Sequence, residues 1–241
     1  MKRITDYKAL TFDCYGTLID WETGLWDAMQ PLLLHCGRVD LSREEILNLY
    51  GQLELAQEQR TPTMRYPDIL TEVHRAVAKE LGGTSPVDLE EPFAQSVAHW
   101  PAFADAAEAL RRLKKHFRLV ILSNIDRQSF AASNRKLGME FDAIYTAEDI
   151  GSYKPSDANF DYLKEHIQRD LGIAQHEILH TAQSLTHDHV PARKHGLANA
   201  WIDRQRLSQG GTWGATAKVE KRPEVDFTFF SLGEMADQLP D

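Results

Sequence analysis

The sequence predicts an α/β fold: a doubly wound parallel sheet, with an all-helical segment inserted after its first strand. Three observations carry this. Short runs of apolar, β-prone residues recur along the chain, the first at residues 9–13 and the next at 118–122. From residue 104 onward such runs alternate with amphipathic stretches of helical period, which implies right-handed βαβ units and a sheet covered on both faces. Between the first two strands, from Trp21 to about Trp100, the pattern is helical throughout.

The elements follow in order. Residues 9–13, Ala-Leu-Thr-Phe-Asp, form a short strand that stops at a Tyr-Gly-Thr turn. In the helical stretch Trp26, Met29, Leu32 and Leu33 recur at helical spacing, as do Ile46, Leu49 and Leu53, and then Ile69, Val73, Val77 and Leu81. Ser42 with Glu45 three residues on is a capping-box signature for the second of these helices. After Pro101 come a helix at 104–115, the strand 118–122 ending in Ser123-Asn124, a helix at 127–137 and the strand 143–145. A helix near 157–169, the strand 177–180, a helix at 190–194, the strand 199–202, a last strand at 226–230 and a short helix at 232–239 complete the series.

Composition sets the boundaries. The 241 residues are 42% apolar and 26% charged, enough for one large domain or a core plus a smaller insertion. A net charge of −9 repels phosphate backbones and anionic membranes, so neither nucleic acid nor a membrane is an expected partner. A local basic pocket for a small anion remains compatible with that charge. The two cysteines, Cys14 and Cys36, make no disulfide framework and no zinc spacing. The polar amino terminus and the absence of any apolar run of about 18 residues predict a soluble, cytoplasmic chain.

In a doubly wound sheet ligands bind beyond the carboxyl ends of the strands, at the switch in strand order. Four strand ends carry polar residues there: Asp13 with Cys14-Tyr15-Gly16-Thr17, Ser123-Asn124, Lys154-Pro155 and the loop ending in His187-Asp188. Taken singly each has a plain structural explanation, such as a turn, a loop or a helix cap. Together they bring a carboxylate, hydroxyls, an ammonium and a second carboxylate to one edge.

These four segments resemble the four motifs of the haloacid dehalogenase superfamily of hydrolases. The resemblance spans the chain and implies a Rossmann-like core of residues 1–20 and 100–241, with residues 21–99 as a helical cap. It also implies that Asp13 is a nucleophile forming a covalent intermediate that water hydrolyses, that Lys154 keeps it ionised, and that Thr17, Ser123 and Asn124 donate hydrogen bonds to it and to a substrate oxyanion. Backbone N–H groups around Cys14, Tyr15 and Gly16 would cradle that anion. Phosphatases of the superfamily carry a second Asp two residues after the nucleophile; here Tyr15 stands there, and the fourth motif offers only Asp188. The form is similar to the metal-independent 2-haloacid dehalogenases, whose halide needs no proton to leave.

The expectation is therefore hydrolysis of a small-molecule anionic substrate, a 2-haloacid, with no metal and no cofactor. The alternatives are a phosphatase, for which Mg2+ would be the cofactor, and a non-catalytic binding protein of the same fold. A homodimer is compatible with either enzyme. The cap arginine that dehalogenases use for the halide is missing from Leu49-Tyr50-Gly51-Gln52, and Arg60 and Arg65 are the candidates to replace it. Two further departures are Phe160, where the family has Tyr, and Ala182-Gln183-Ser184-Leu185, where it has Ser-x-Asn. His180, His187 and His189 are expected to make supporting hydrogen bonds, and Trp21 and Trp100 to wall the site.

Overall fold

The strand ends that carry the four motifs share one edge of a parallel sheet. A computed structural model describes residues 2–215 and 217–240; Met1, Thr216 and Asp241, and with them both ends of the predicted core, lie outside the described residues. The sheet contains β1 (Ala9–Phe12), β2 (Arg118–Ser123), β3 (Ala143–Thr146), β4 (Ile178–Ala182), β5 (Ala198–Ile202) and β6 (Phe227–Phe229), in the order β3-β2-β1-β4-β5-β6. Every neighbouring pair is parallel, with Phe12 opposite Ile121 on one side and Thr181 on the other. The chain builds outward from β1 in one direction and then returns to build in the other, so the switch point lies between β1 and β4.

Side chains alternate between the two faces of the sheet, and both faces are buried. Leu10, Phe12, Leu119 and Ile121 join the larger apolar cluster on one face. Ala9, Val120 and Leu122 meet Phe160, Leu163 and Ile167 on the other. The helices are α1 (Trp21–His35), α2 (Arg43–Arg60), α3 (Tyr66–Glu80), α4 (Val87–Ala94), α5 (Ala106–Lys114), α6 (Arg127–Leu137), α7 (Ala147–Ile150), α8 (Asp157–Leu171), α9 (Val190–Lys194) and α10 (Leu232–Ala236). Among the described residues none is long and apolar enough to cross a membrane.

The first four helices form the insertion between β1 and β2. Asp20 caps α1 by accepting from Thr23 N at 3.1 Å, and the Ser42–Glu45 box caps α2 as expected. The two chain crossings lie side by side: Asp20 N donates to Pro101 O at 2.8 Å and Phe103 N to Leu18 O at 3.0 Å. Gly24 lets α1 lie directly on Trp100, whose ring would be 2.3 Å from a Cβ at that position.

Three of the differences from the predicted elements bear on the architecture. The helix expected from residue 104 begins at Ala106, because the Asp105 carboxylate is committed elsewhere, accepting from Leu232 N at 2.8 Å, Gly233 N at 3.1 Å and the Arg204 guanidinium. The turn α7 stands where no element was expected, closed by Thr146 and Asp149 in a capping box. The segment after β5, unassigned in the sequence, folds back onto the insertion: Glu22 Oε1 accepts from Ala215 N at 3.3 Å and Gln205 Nε2 at 3.2 Å.

Candidate active site

Asp13 follows β1 directly, and its backbone N–H still pairs with Thr181 O at 3.1 Å, so the sheet fixes where its side chain starts. Each carboxylate oxygen then has a donor. Lys154 Nζ donates to Oδ1 at 2.9 Å and Thr17 Oγ1 to Oδ2 at 2.7 Å. Thr17 Oγ1 in turn accepts from Gln183 N at 2.9 Å, which ties the β1 turn to the end of β4. Lys154 is 2% exposed and spends its remaining hydrogens on Asp188 Oδ1 at 2.8 Å and Leu122 O at 3.1 Å. Asp188, 0% exposed, also bonds His180 Nε2 at 2.9 Å, whose Nδ1 meets Thr11 Oγ1 at 2.8 Å. A line of buried hydrogen bonds thus runs from Thr11 on β1 through His180, Asp188 and Lys154 to Asp13.

The Asn124 side chain clamps the backbone of Lys154, accepting from its N–H at 2.7 Å and donating to its carbonyl at 3.0 Å. It positions the lysine instead of bonding Asp13. Ser123 Oγ is buried and without a partner among the described residues. Gly16 sits at φ +92°, and a Cβ there would be 3.0 Å from Gln183 Oε1 and 3.4 Å from Trp21 Nε1. Its N–H closes the turn on Ile19 O at 2.8 Å. The expected anion cradle is therefore narrower than the sequence suggested: of the three turn amides, Cys14 and Tyr15 keep theirs without an acceptor among the described residues. The Cys14 thiol is buried in the core, and burial pushes its pKa up.

The charges at this centre are set by burial against pairing. Burial works against ionisation of Asp188, but Lys154 and His180 hold it well below the usual carboxylate range. Burial opposes charge on Lys154 too, and the two carboxylates beside it raise its pKa regardless. Asp13 is pushed up, first by burial and then by Asp188, with Lys154 and Thr17 pulling the other way. Of the three it is the first to take a proton on acidification. Among the described residues no three His, Cys, Asp or Glu side chains gather as a metal site, and magnesium, which is held by one or two carboxylates with several waters, would have Asp13 and Asp188 to bind it.

A cavity of about 560 Å³ lies over Asp13, Lys154 and Asp188. Its roof is α2, which presents Asn48, Gly51, Gln52, Leu55 and Glu58 at helical spacing, with Glu54 beside them. Trp21, Tyr66, Trp100 and Tyr15 supply aromatic surface. Glu54 Oε1 accepts from Tyr50 OH at 2.8 Å and Tyr66 OH at 2.5 Å. Glu58 is 5% exposed, and its one hydrogen bond among the described residues is a long one, from Asn124 Nδ2 at 3.5 Å. Burial raises the pKa of both glutamates, and the charge of Glu54 raises that of Glu58 further.

Residues 7–180 match the family of haloacid dehalogenase-like hydrolases. The chain belongs to that family. Its relatives include an (S)-2-haloacid dehalogenase of Pseudomonas putida, 24% identical with 96% of each chain covered, and (S)-2-haloacid dehalogenase 4A of Burkholderia cepacia, 26% identical over 84% of this chain and 85% of that one. Among solved structures, L-2-haloacid dehalogenase of Xanthobacter autotrophicus superposes with a TM-score of 0.78 at 20% identity, covering 96% of this chain and 97% of that one. At that identity the superposition speaks for the fold.

In this haloacid dehalogenase-like hydrolase the two arginines expected at the site are elsewhere. Arg60 is two residues past Glu58, on another side of α2; it is exposed and bonds Gln57 Oε1. Arg65, 52% exposed, pairs with Asp126 at 3.7 Å and Glu148 at 3.4 Å, and fastens the insertion to the core. Neither lines the cavity, whose ammonium groups among the described residues are Lys154 and Lys218. Phe160 lies in the core under the His180 ring, 5.7 Å between centroids. His187 lines the cavity while His189 is buried away from it, bonded to Ala182 O at 2.8 Å; burial lowers both to about 4, so both rings are neutral. The residues that sequence reasoning missed are Glu54 and Glu58. Their i, i+4 spacing was visible, but it has the look of any solvated helix face.

Proposed function

We propose that this hydrolase is a 2-haloacid dehalogenase in which the Asp13 carboxylate displaces halide from the α-carbon of a small haloacid, with residues 21–99 as a cap over a core of residues 1–20 and 100–241. The observation that carries the reading is a clamped carboxylate nucleophile beside a residue that offers no proton. The Tyr15 hydroxyl turns to Ser133 Oγ at 2.8 Å, and burial pushes its pKa well above the ordinary value. An alkoxide leaving group needs a proton from that position, whereas a halide does not. The names of the curated relatives support the same substrate class in its (S) series.

The reaction has two steps. An Asp13 oxygen forms a bond to the α-carbon as the carbon–halogen bond breaks, and the halide leaves with the electron pair. Water then adds to the Asp13 carbonyl carbon and the original C–O bond of the side chain breaks. The product hydroxyl keeps an aspartate oxygen, Asp13 keeps the water oxygen, one water proton goes to the product and the other to solvent. Lys154 and Thr17 hold the carboxylate in line for the first step. The free N–H groups of Cys14 and Tyr15, with Ser123 Oγ at the end of β2, receive the substrate carboxylate. Asp188 Oδ2, buried and without a partner among the described residues, orients the attacking water.

The test is halide release from (S)-2-chloropropanoate with and without EDTA, combined with turnover in ¹⁸O-water. Release that survives EDTA, with label appearing in the Asp13 peptide, is the expected result. Strict magnesium dependence on a phosphate ester, with no halide released, would replace this reading by the phosphatase.

A further inference from the structure

A three-carbon haloacid needs little space. The cavity over Asp13, at about 560 Å³, lies in the range of roughly 300–1,000 Å³ that encloses far larger ligands. Its roof is also chemically wrong for an anion alone. Glu54 and Glu58 lie one turn apart on α2; the charge of Lys154 on the floor reaches Glu58, but that ammonium is already shared by Asp13 and Asp188, and no arginine lines the cavity.

The two glutamates differ in how they are satisfied. Glu54 is held by the hydroxyls of Tyr50 and Tyr66, so packing accounts for it. Glu58 is not accounted for. It is 5% exposed and lines the cavity, its Oε1 has no hydrogen-bond partner among the described residues, and its Oε2 has only the 3.5 Å contact with Asn124. Lys218, the cavity's second ammonium, forms no ion pair with either glutamate among the described residues. A buried carboxylate facing a cavity is costly unless something pairs with it. Trp21, Tyr66, Trp100 and Tyr15 line the same space with aromatic surface, which attracts organic cations and offers nothing to a hard metal ion.

We infer that Glu58, backed by Glu54 and the aromatic walls, is the receptor for an ammonium group carried by the substrate beyond its reacting carbon, so that this enzyme takes amino-substituted acids in preference to simple ones. The carboxylate end of such a molecule meets the amides of Cys14 and Tyr15, and the ammonium end reaches the roof. Burial and Glu54 push the empty Glu58 toward its neutral form, and an ammonium is favoured over a neutral donor because it alone stabilises Glu58 as a carboxylate. The inference names the substrate class of the site proposed above and rests on that reading for the position of the reacting carbon.

Binding separates the two ideas, since it needs no chemistry. Isothermal titration calorimetry compares 4-aminobutanoate and 6-aminohexanoate with butanoate and hexanoate on the wild type and on Glu58→Gln. The expected result is that at least one amino acid binds about tenfold or more tightly than its alkyl counterpart, and that Glu58→Gln abolishes the preference while alkyl-acid binding stays or improves. Gln matches Glu in shape and removes a poorly paired buried carboxyl, so the variant is expected to melt no lower than the wild type. Glu58→Met is the second variant, and it too is expected to lose the preference. Equal binding of the two series, no binding of either, or a preference that survives both substitutions overturns the inference. Halide release from (S)-2-chloropropanoate, measured separately, decides the dehalogenase reading whatever the calorimetry gives.

Discussion

The floor and the roof of the cavity obey different rules. On the floor every charged group has a partner: Asp13 lies between Lys154 and Thr17, and Lys154 between Asp13 and Asp188. On the roof Glu58 has one weak contact, the carboxyl of Glu54 beside it, and only a share in the field of Lys154, which is bonded to two other carboxylates. Charges that are paired with one another without ligand are preorganised for a reaction that the protein performs the same way each time, and the unpartnered atoms on the floor, Ser123 Oγ and Asp188 Oδ2, lie beside those pairs. A group left unsatisfied at a cavity wall is what selects which molecule enters. The contrast assigns chemistry to the sheet and choice of substrate to the inserted helices.

The largest expected effect is on the floor. Asp13→Asn retains the shape and removes the nucleophile, so kcat is expected to fall by a factor on the order of 10⁴ or more, in the range seen when a catalytic nucleophile is deleted. Because the variant also removes a carboxylate that burial disfavours, the fold should survive, and circular dichroism should match the wild type. Substantial turnover in Asp13→Asn, with deamidation excluded by mass spectrometry, would break the assignment of chemistry to this residue.

Lys154→Met comes next, and here catalysis and stability fall together. The ammonium is the shared partner of two buried carboxylates. Removing one member of a buried ion pair typically costs about 3–5 kcal/mol, because the charge left behind has no partner. Activity should be lost and the denaturation midpoint should drop. A Lys154→Met protein as stable as the wild type would mean that the floor is not the coupled network described above.

The floor was legible in the sequence, and the roof was not, for a physical reason. Asp13 and Ser123 lie at the ends of two adjacent parallel strands, and Lys154 and Asp188 in the loops that follow the two strands flanking them, so parallel pairing brings all four to one edge. Position along the chain therefore translated into position in space. On α2 the same translation fails, since which face of a helix looks inward depends on how the helix docks. Polar residues stand on more than one side of this one: Glu58 faces the cavity while Glu44 faces solvent, and they are the same residue type. Arg60 and Arg65 were chosen for their charge, with no means of reading their phase. The approach of Ala215 to α2, where its carbonyl oxygen lies 3.3 Å from a Cβ at Gly51, is a tertiary contact that no local pattern announces.

Acid should switch the floor off in a defined direction. Asp13 works as a carboxylate, and burial together with Asp188 raises its pKa. As the pH falls through that raised value Asp13 takes up a proton and ceases to be a nucleophile, so kcat/KM should decline about tenfold for each further pH unit. The decline should begin above the ordinary aspartate range, near 4. A profile flat down to that range would place the pairing with Lys154 above burial in setting the charge of Asp13.

The smallest expected effect lies at the edge of the roof, and it tests whether charge there matters by sign or by position. Arg60 and Arg65 are the cations closest in sequence to Glu58, yet neither lines the cavity. Arg60→Ala removes an exposed contact with Gln57, and kinetic constants should stay within about twofold. Arg65→Ala severs a long ion pair to the buried Asp126 and a half-exposed one to Glu148, and exposed pairs of the latter kind are typically worth about 0–1 kcal/mol. Its thermal midpoint should shift slightly, and salt should shrink the difference from wild type because screening already weakens those pairs. A large rise in KM for either variant, without a change in stability, would mean that a guanidinium enters the cavity when substrate binds. That result would return the roof to the reading of an anion receptor and remove the grounds for an ammonium at Glu58.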